Sequence, residues 1–156
     1  MELGELHNLA ESLGSDSSAW HHLVRHDPLR RVFEPVLDEP DVEGWLICWM
    51  PGHDTGFHDH DVSSGAVTVL SGQVLEERLT VGRGGMLASV YSAGHTFEFS
   101  PSDIHRVTHT GSEPAVTLHV YSPRIVRPGA YTVSDEGVLR RHPVASGEEL
   151  RPLTAA

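Results

Sequence analysis

The sequence predicts an all-β fold, a sandwich or a barrel, preceded by a short helical segment. From Glu43 onward, apolar and β-branched runs recur roughly every 8–12 residues, and clusters of Gly, Pro, Ser and Asp separate them. Before Asp27, leucines instead follow the spacing of one helix face. The single cysteine, Cys48, excludes an internal disulfide, so a packed core has to stabilise the fold.

The N-terminal segment is predicted to hold two helices. The apolar face of the first ends at Gly14, and Asp16 is a suitable N-cap for the second. Asp27–Pro28 ends that second helix. Residues 29–37 fit either a further helical turn or an edge strand, because Pro35 limits both. The first helix face is formed by Leu6, Leu9, Ala10 and Leu13.

The region that follows is divided into short strands by turn residues. The run GWLICWM is apolar throughout, which is typical of a buried strand. A hairpin turn is expected at Gly82, Gly84 and Gly85, and another at 135–137. The expected strands lie in residues 44–50, 56–61, 66–72, 74–82, 86–94, 95–101, 104–111, 115–123 and 130–144.

At 156 residues the chain is expected to form one domain, with a helical segment at 1–42 that packs on a barrel at 43–156. Its net charge of −11 argues against nucleic acid and anionic membranes, which bind through Lys and Arg. The first residues lack the basic, apolar character of a signal peptide, and no window resembles a membrane span. We therefore expect a cytoplasmic monomer or weak homodimer with small-molecule partners.

Three histidines are candidates for a metal site. His58 and His60 are two residues apart, so on a strand they point to the same face. His105 follows about 45 residues later and would supply a third imidazole if its strand turns it inward. Three neutral imidazoles leave open positions on a metal, which suits activation of a small molecule. The alternative for each is a hydrogen-bonded histidine of the barrel interior.

A second constellation lies in the run AVTLHVYSP. Thr117, His119 and Tyr121 alternate and therefore share one face of one strand. If they face inward, they form a chain of hydroxyl, imidazole and phenol that orients Tyr121. The alternative is a half-buried strand with its polar residues in water.

These segments resemble the cysteine dioxygenase type I, or thiol dioxygenase, family of the cupin superfamily. The similarity covers roughly residues 43–126 and rests on CWMPGHDTGFHDHD and on DIHRVTHTGSEPAVTLHVYSP. It implies a double-stranded β-helix barrel and mononuclear iron(II) as cofactor. It also implies a cis peptide bond at Ser122–Pro123. The implied iron ligands are His58, His60 and His105, and the implied catalytic triad is Thr117, His119 and Tyr121.

The chain departs from related patterns at three positions. Most cupins place a ligating Glu four or five residues after the second His, where this chain has Ser64 and Gly65. Animal cysteine dioxygenases have a Cys, cross-linked to the tyrosine, at the position of Gly65. That cross-link cannot form here, as in bacterial relatives. Thr117 replaces the triad serine and keeps its hydroxyl.

The substrate carboxylate would be bound by an arginine, because a guanidinium pairs with a carboxylate through two hydrogen bonds. The resemblance places it in the segment before the CW strand, where this chain has Arg30 and Arg31. Arg25, Arg106 and Arg124 are the alternatives, and Arg25 and Arg124 fit solvated surface charges better.

The function expected from these residues is oxidation of a small thiol, cysteine or a related mercapto acid, to its sulfinate by an iron(II)-dependent dioxygenase that uses O2. One alternative is a cupin oxygenase that acts on a non-thiol molecule. Another is a metal-binding or ligand-binding cupin without turnover, which the Thr-His-Tyr strand argues against.

Overall fold

A computed structural model of the chain describes residues 1–80, 85–145 and 147–153. The first element is helix α1, Leu3–Ser15. It begins with a capping box in which the Glu2 backbone N–H donates to the Glu5 carboxylate at 2.7 Å.

A second, shorter helix follows directly. In α2, Ser17–Trp20, the Asp16 carboxylate accepts from the Ser18 backbone N–H at 3.2 Å. A 3₁₀ turn, His21–Leu23, continues it. Both helices predicted from leucine spacing and the Asp16 cap are therefore confirmed. None of the helices in the described ranges is long and apolar enough to cross a membrane.

The strands form two antiparallel sheets. The five-stranded sheet has the order β1-β2-β9-β4-β7, and the six-stranded sheet has the order β11-β10-β3-β8-β5-β6. The all-β prediction is thereby confirmed. The strands are β1 Val32–Glu39, β2 Val42–Trp49, β3 His58–Asp59, β4 Ser64–Ser71, β5 Gln73–Leu79, β6 Met86–Ser92, β7 Thr96–Phe99, β8 His105–Thr110, β9 Ala115–Ser122, β10 Gly129–Val133 and β11 Leu139–Pro143.

Strand β1 resolves the ambiguity at residues 29–37 in favour of an edge strand. It pairs with β2 alone, and the register shifts between Pro35 and Leu37. An exposed edge tolerates proline because no neighbouring strand needs its missing N–H. Within the segment 1–42, the helical part therefore ends at Leu23, and the sheet begins at Val32.

The predicted hairpin between β5 and β6 is present as an antiparallel pair. Gly82 and Gly84 of its expected turn lie outside the described residues. The second predicted hairpin turn, at 135–137, is confirmed, since it joins the antiparallel strands β10 and β11 and the Ser134 N–H donates to the Val138 carbonyl at 2.9 Å.

Strand β9 is buried on both faces. One face packs against helix α1, and the other faces the main apolar core. Its outward residues Leu118 and Val120 pack against Leu6 and Ala10 of α1. Its inward residues therefore face the space between the two sheets, as the alternation predicted. That space holds the main apolar cluster, which includes Trp49, Val67, Val74, Phe97, Phe99 and Val107.

Candidate metal centre

The three predicted histidines meet at one point between the sheets. His58 lies on β3 and is the register partner of His105, the first residue of β8. His60 follows β3 directly. One ring nitrogen of each lies within 4.8 Å of those of the other two, and all three side chains are buried. Antiparallel pairing of β3 with β8 thus brings together residues far apart in sequence.

Hydrogen bonds set the ring orientation of two of these histidines. The His58 Nδ1–H donates to the Gly56 carbonyl at 2.9 Å, and the His105 Nδ1–H donates to the Glu76 carboxylate at 2.8 Å. Because these acceptors carry no hydrogen, the proton has to lie on Nδ1. The lone pair of each Nε2 is then available to a metal ion.

The third histidine has a different environment. The His60 ring stacks on Phe99 with centroids 4.3 Å apart, and its buried Nδ1 has no hydrogen-bond partner among the described residues. Burial and the neighbouring rings hold the pKa of His58 and of His60 well below the usual value. Three buried imidazoles whose ring nitrogens converge on one point fit a transition-metal ion.

Glu76 and Arg78 support the third ligand, and the sequence reading did not single them out. Glu76 is buried on β5 and receives both the His105 hydrogen bond and two bonds from Arg78 at 2.9 and 3.0 Å. Strand alternation could have identified them, because Val74, Glu76 and Arg78 share one face of β5. Since Val74 lies in the core, Glu76 and Arg78 point inward as well.

Asp59 points away from the cluster and anchors the two-residue strand β3. Its carboxylate accepts from Arg141 at 2.8 and 3.0 Å, from the Tyr131 hydroxyl at 2.5 Å and from the Gly129 N–H at 3.2 Å. Burial alone would raise its pKa, but these donors lower the pKa of Asp59 to about 2. This ion pair ties β3, and hence the histidines on either side of Asp59, to β10 and β11.

The Thr-His-Tyr strand forms a continuous buried hydrogen-bond chain. His119 Nε2 lies 2.8 Å from the Thr117 hydroxyl, and His119 Nδ1 lies 3.0 Å from the Tyr121 hydroxyl. The Trp49 indole N–H donates to the Thr117 oxygen at 2.8 Å. Trp49 therefore extends the predicted chain by one member from β2.

The direction of this chain follows from its donors. Among the described residues, His119 is the only acceptor for the Thr117 hydroxyl hydrogen, so His119 Nε2 accepts and Nδ1 carries the proton. His119 Nδ1–H then donates to the Tyr121 oxygen, which leaves the phenol hydrogen free for another acceptor. Burial lowers the pKa of His119 to about 3 and raises the pKa of Tyr121, so both groups stay neutral.

Gly65 lies directly opposite Tyr121 in the pairing of β4 with β9. A side chain at this position would overlap the Phe99 ring. Phe99 thus fills the space beside Tyr121, with ring centroids 5.9 Å apart, while it stacks on His60. Because residue 65 is a glycine, this position offers neither a carboxylate to a metal nor a sulfur to Tyr121. The Phe99 ring fills the space that such a side chain would need.

A cavity of about 310 Å³ extends from the histidines toward the surface. Arg31 lies in its wall and is only 4% exposed, with its guanidinium carbon 5.0 Å from the Trp49 ring centroid and 5.2 Å from that of Phe33. Residues 147–150, which are exposed or half-buried, line its solvent-facing side. The inner walls are formed by Trp45, Ile47, Phe99, Val107 and Tyr121.

The structure separates the two arginines predicted for substrate binding. The Arg30 side chain is 71% exposed, pairs with Asp27 at 3.5 Å and does not line the cavity. Of the two arginines, Arg31 and not Arg30 therefore lies in the cavity wall. The alternatives Arg25, Arg106 and Arg124 lie outside the cavity and pair with Glu34, Asp54 and Asp38, respectively.

Comparison with solved structures shows that this architecture is a double-stranded β-helix. TT1209 from Thermus thermophilus is 24% identical, covers 67% of this chain and 93% of its own, and superposes with a TM-score of 0.57. A double-stranded β-helix protein from Klebsiella pneumoniae is 23% identical, covers 66% and 80%, and has the same TM-score. At these identities the likeness shows the fold alone.

The sequence defines the family within that class. The cysteine dioxygenase type I family model matches residues 1–134, so the chain belongs to the cysteine dioxygenase type I family. Cysteine dioxygenase type 1 of Danio rerio is 31% identical in an alignment of 130 positions that covers 76% of this chain. The match spans 64% of the zebrafish protein. The cis peptide bond at Ser122–Pro123, which the family resemblance implied, is present.

Proposed function

We propose that the chain is an iron(II)-dependent thiol dioxygenase that oxidises a small thiol, cysteine or a related mercapto acid, to its sulfinate with O2. The observation that carries this proposal is a cluster of three buried histidines, which among the described residues includes no carboxylate, in the same cavity as the Tyr121 phenol and the buried Arg31. Membership of the cysteine dioxygenase type I family supports it.

His58, His60 and His105 are the residues that would hold the metal. A ferrous ion bound there would supply the redox chemistry that joins both atoms of O2 to the thiolate sulfur, which loses four electrons and becomes a sulfinate. Because all three ligands are neutral, they leave the full double positive charge of the ion uncompensated. The loaded site therefore favours the thiolate over the thiol.

Tyr121 is the proposed hydrogen-bond donor to the substrate. Its pKa is raised by burial, so the phenol keeps its proton, and the hydrogen bond from His119 directs that proton away from the imidazole. Thr117 and Trp49 hold His119 in place. A donor fixed in this way needs no reorganisation when charge develops on a nearby oxygen.

Arg31 is the proposed partner of the substrate carboxylate. Its guanidinium lies against the Phe33 and Trp49 rings and therefore loses little further freedom on binding. Iron at one end of the cavity and Arg31 in its wall would hold a thiol and a carboxylate of one small molecule. The apolar walls between them exclude water.

Oxygen uptake tests the proposal. Protein loaded with iron(II) under argon is mixed with an oxygen-saturated solution of cysteine, 3-mercaptopropionate or cysteamine. Oxygen consumption is recorded, and the mass of the product is measured by mass spectrometry. We expect uptake of one O2 per thiol and a gain of two oxygen atoms in the product. Absence of uptake with every thiol, with bound iron verified, would refute the proposal.

Arg30 and Arg31 provide a matched pair for the substrate role. We expect R31Q to raise KM for a carboxylate thiol, while R30Q, which removes the same charge one residue away, leaves KM near the wild-type value. Equal effects of the two substitutions would remove Arg31 from the substrate site.

A further inference from the structure

The last described segment, residues 147–153, forms part of the solvent-facing wall of the cavity, and we name it the strap. Its residues Gly147, Glu148, Glu149 and Leu150 line the cavity. The strap is joined to Arg31, which is more than a hundred residues earlier in the sequence. The residue proposed to bind the substrate carboxylate therefore already has a partner from the same chain.

That partner is itself a carboxylate. Glu149 Oε1 accepts from the Arg31 Nε at 3.1 Å and from the Arg31 backbone N–H at 3.3 Å, and the Leu150 carbonyl accepts from the terminal guanidinium nitrogen. Arg31 is almost fully buried, whereas the Glu149 side chain is 18% exposed. The fixed member of this ion pair is thus the arginine, and the member on a terminal segment is the carboxylate.

The strap also meets the barrel at its far end, where Pro152 and Leu153 line a second cavity together with Phe57 and Tyr131. Pro152 lies against Gly56, where a side chain would meet the Pro152 backbone at 2.8 Å. Arg151 donates to Glu149 Oε2 at 2.7 and 3.0 Å, but it belongs to the strap itself and is 61% exposed. Release of Glu149 from Arg31 therefore breaks two of the three hydrogen bonds between Arg31 and the strap and leaves the bond to the Leu150 carbonyl.

We propose that Glu149 is a specificity-determining residue that competes with the substrate carboxylate for Arg31. This inference rests on the proposed role of Arg31 in substrate binding. A thiol with a carboxylate has to displace Glu149, and it replaces one carboxylate by another on the same guanidinium. A thiol without a carboxylate leaves the Glu149–Arg31 pair intact and enters beneath the strap.

Competition by Glu149 is expected to weaken the apparent affinity for thiols with a carboxylate and to leave the affinity for thiols without one unchanged. When the binding-competent state is only partly populated, the apparent Kd rises by the inverse of its population. Removal of the competing charge by E149Q should therefore tighten carboxylate binding about tenfold, since the charge-assisted hydrogen bond that holds residue 149 on Arg31 is lost. Cysteamine, which has no carboxylate, should bind the variant and the wild type alike.

Binding without turnover tests this competition. Propionate is titrated into metal-free wild-type protein, E149Q and E148Q, and binding is followed by calorimetry. E148Q removes the same charge from the neighbouring residue, which is exposed. We expect E149Q alone to bind propionate more tightly. Equal propionate affinity in E149Q and E148Q, or weaker affinity in E149Q, would overturn the proposal.

Hydrogen exchange of residues 147–153 provides a second readout that needs no substitution. Saturating propionate should accelerate exchange in the strap of the wild-type protein, and propionamide, which is uncharged, should not. Unchanged exchange at saturation would refute displacement of the strap. These measurements need neither iron nor O2. If no thiol is oxidised yet E149Q binds propionate more tightly, the dioxygenase proposal fails while the competition at Arg31 stands.

Discussion

The hydrogen bond from His105 to Glu76 offers the sharpest test of how the barrel prepares its metal site. The two atoms lie 2.8 Å apart, and both side chains are almost completely buried. In E76Q the amide oxygen can still accept this bond, but it carries no charge, and Arg78 loses its anionic partner. Loss of such a partner of a metal-binding histidine typically lowers metal affinity by about 10–100-fold. This corresponds to about 1.4–2.8 kcal/mol.

Competition with a chelator for iron(II) under argon measures this affinity. The matched control is E77Q, because Glu77 lies next to Glu76 on the opposite face of β5, where it lies 3.6 Å from Arg106. Circular dichroism and thermal unfolding establish that both variants are folded. Equal iron affinity in E76Q, E77Q and the wild type would refute the claim that Glu76 prepares His105 for the metal.

Three further outcomes follow from the site. Y121F should retain iron and lose about 10²-fold or more in kcat, since the donor disappears while the ligands stay; an unchanged kcat in O2-uptake assays would exclude Tyr121 from the reaction. G65A should cost about 1–3 kcal/mol of unfolding free energy in denaturant, because the new methyl group overlaps Phe99, and wild-type stability would show that the ring moves freely. D59N should lower stability by about 1–2 kcal/mol at pH 7. The Asp59 pKa of about 2 lies below its usual 3.8, so this stabilisation is present above pH 4 and disappears as pH falls toward 2; a difference between D59N and wild type that persists at pH 2 would contradict the assignment.

Residues that act through one strand or one adjacent pair of strands were accessible to sequence reasoning. Thr117, His119 and Tyr121 share a face because strand alternation has a period of two, and this holds in any sheet that buries that face. His58 and His60 follow the same rule. The position of His105 needed a family resemblance, since alternation does not state which strand lies opposite β3.

Contacts between residues that are far apart in the sequence could not be predicted from it. Whether Arg30 or Arg31 faces inward depends on which residues of β1 point toward the core. The register shift between Pro35 and Leu37 interrupts the alternation from which this could be predicted. The contact of Arg31 with Glu149 joins two segments that carry no shared pattern. Phe99 is one apolar residue among many in the sequence, and only the pairing of β4 with β7 shows that it occupies the space that Gly65 leaves.

The absence of a side chain at Gly65 has a consequence that reaches the metal ligands. Phe99 occupies the space beside Tyr121 and also stacks on His60, the one ligand whose Nδ1 has no hydrogen-bond partner among the described residues. His58 and His105 are oriented by hydrogen bonds, whereas His60 is oriented by packing against an aromatic ring. A residue at 65 large enough to move Phe99 would therefore disturb His60 before it disturbed the other two ligands. The glycine and the phenylalanine act as a pair, and a fourth ligand or a cross-linking cysteine at 65 would require a smaller residue than phenylalanine at 99.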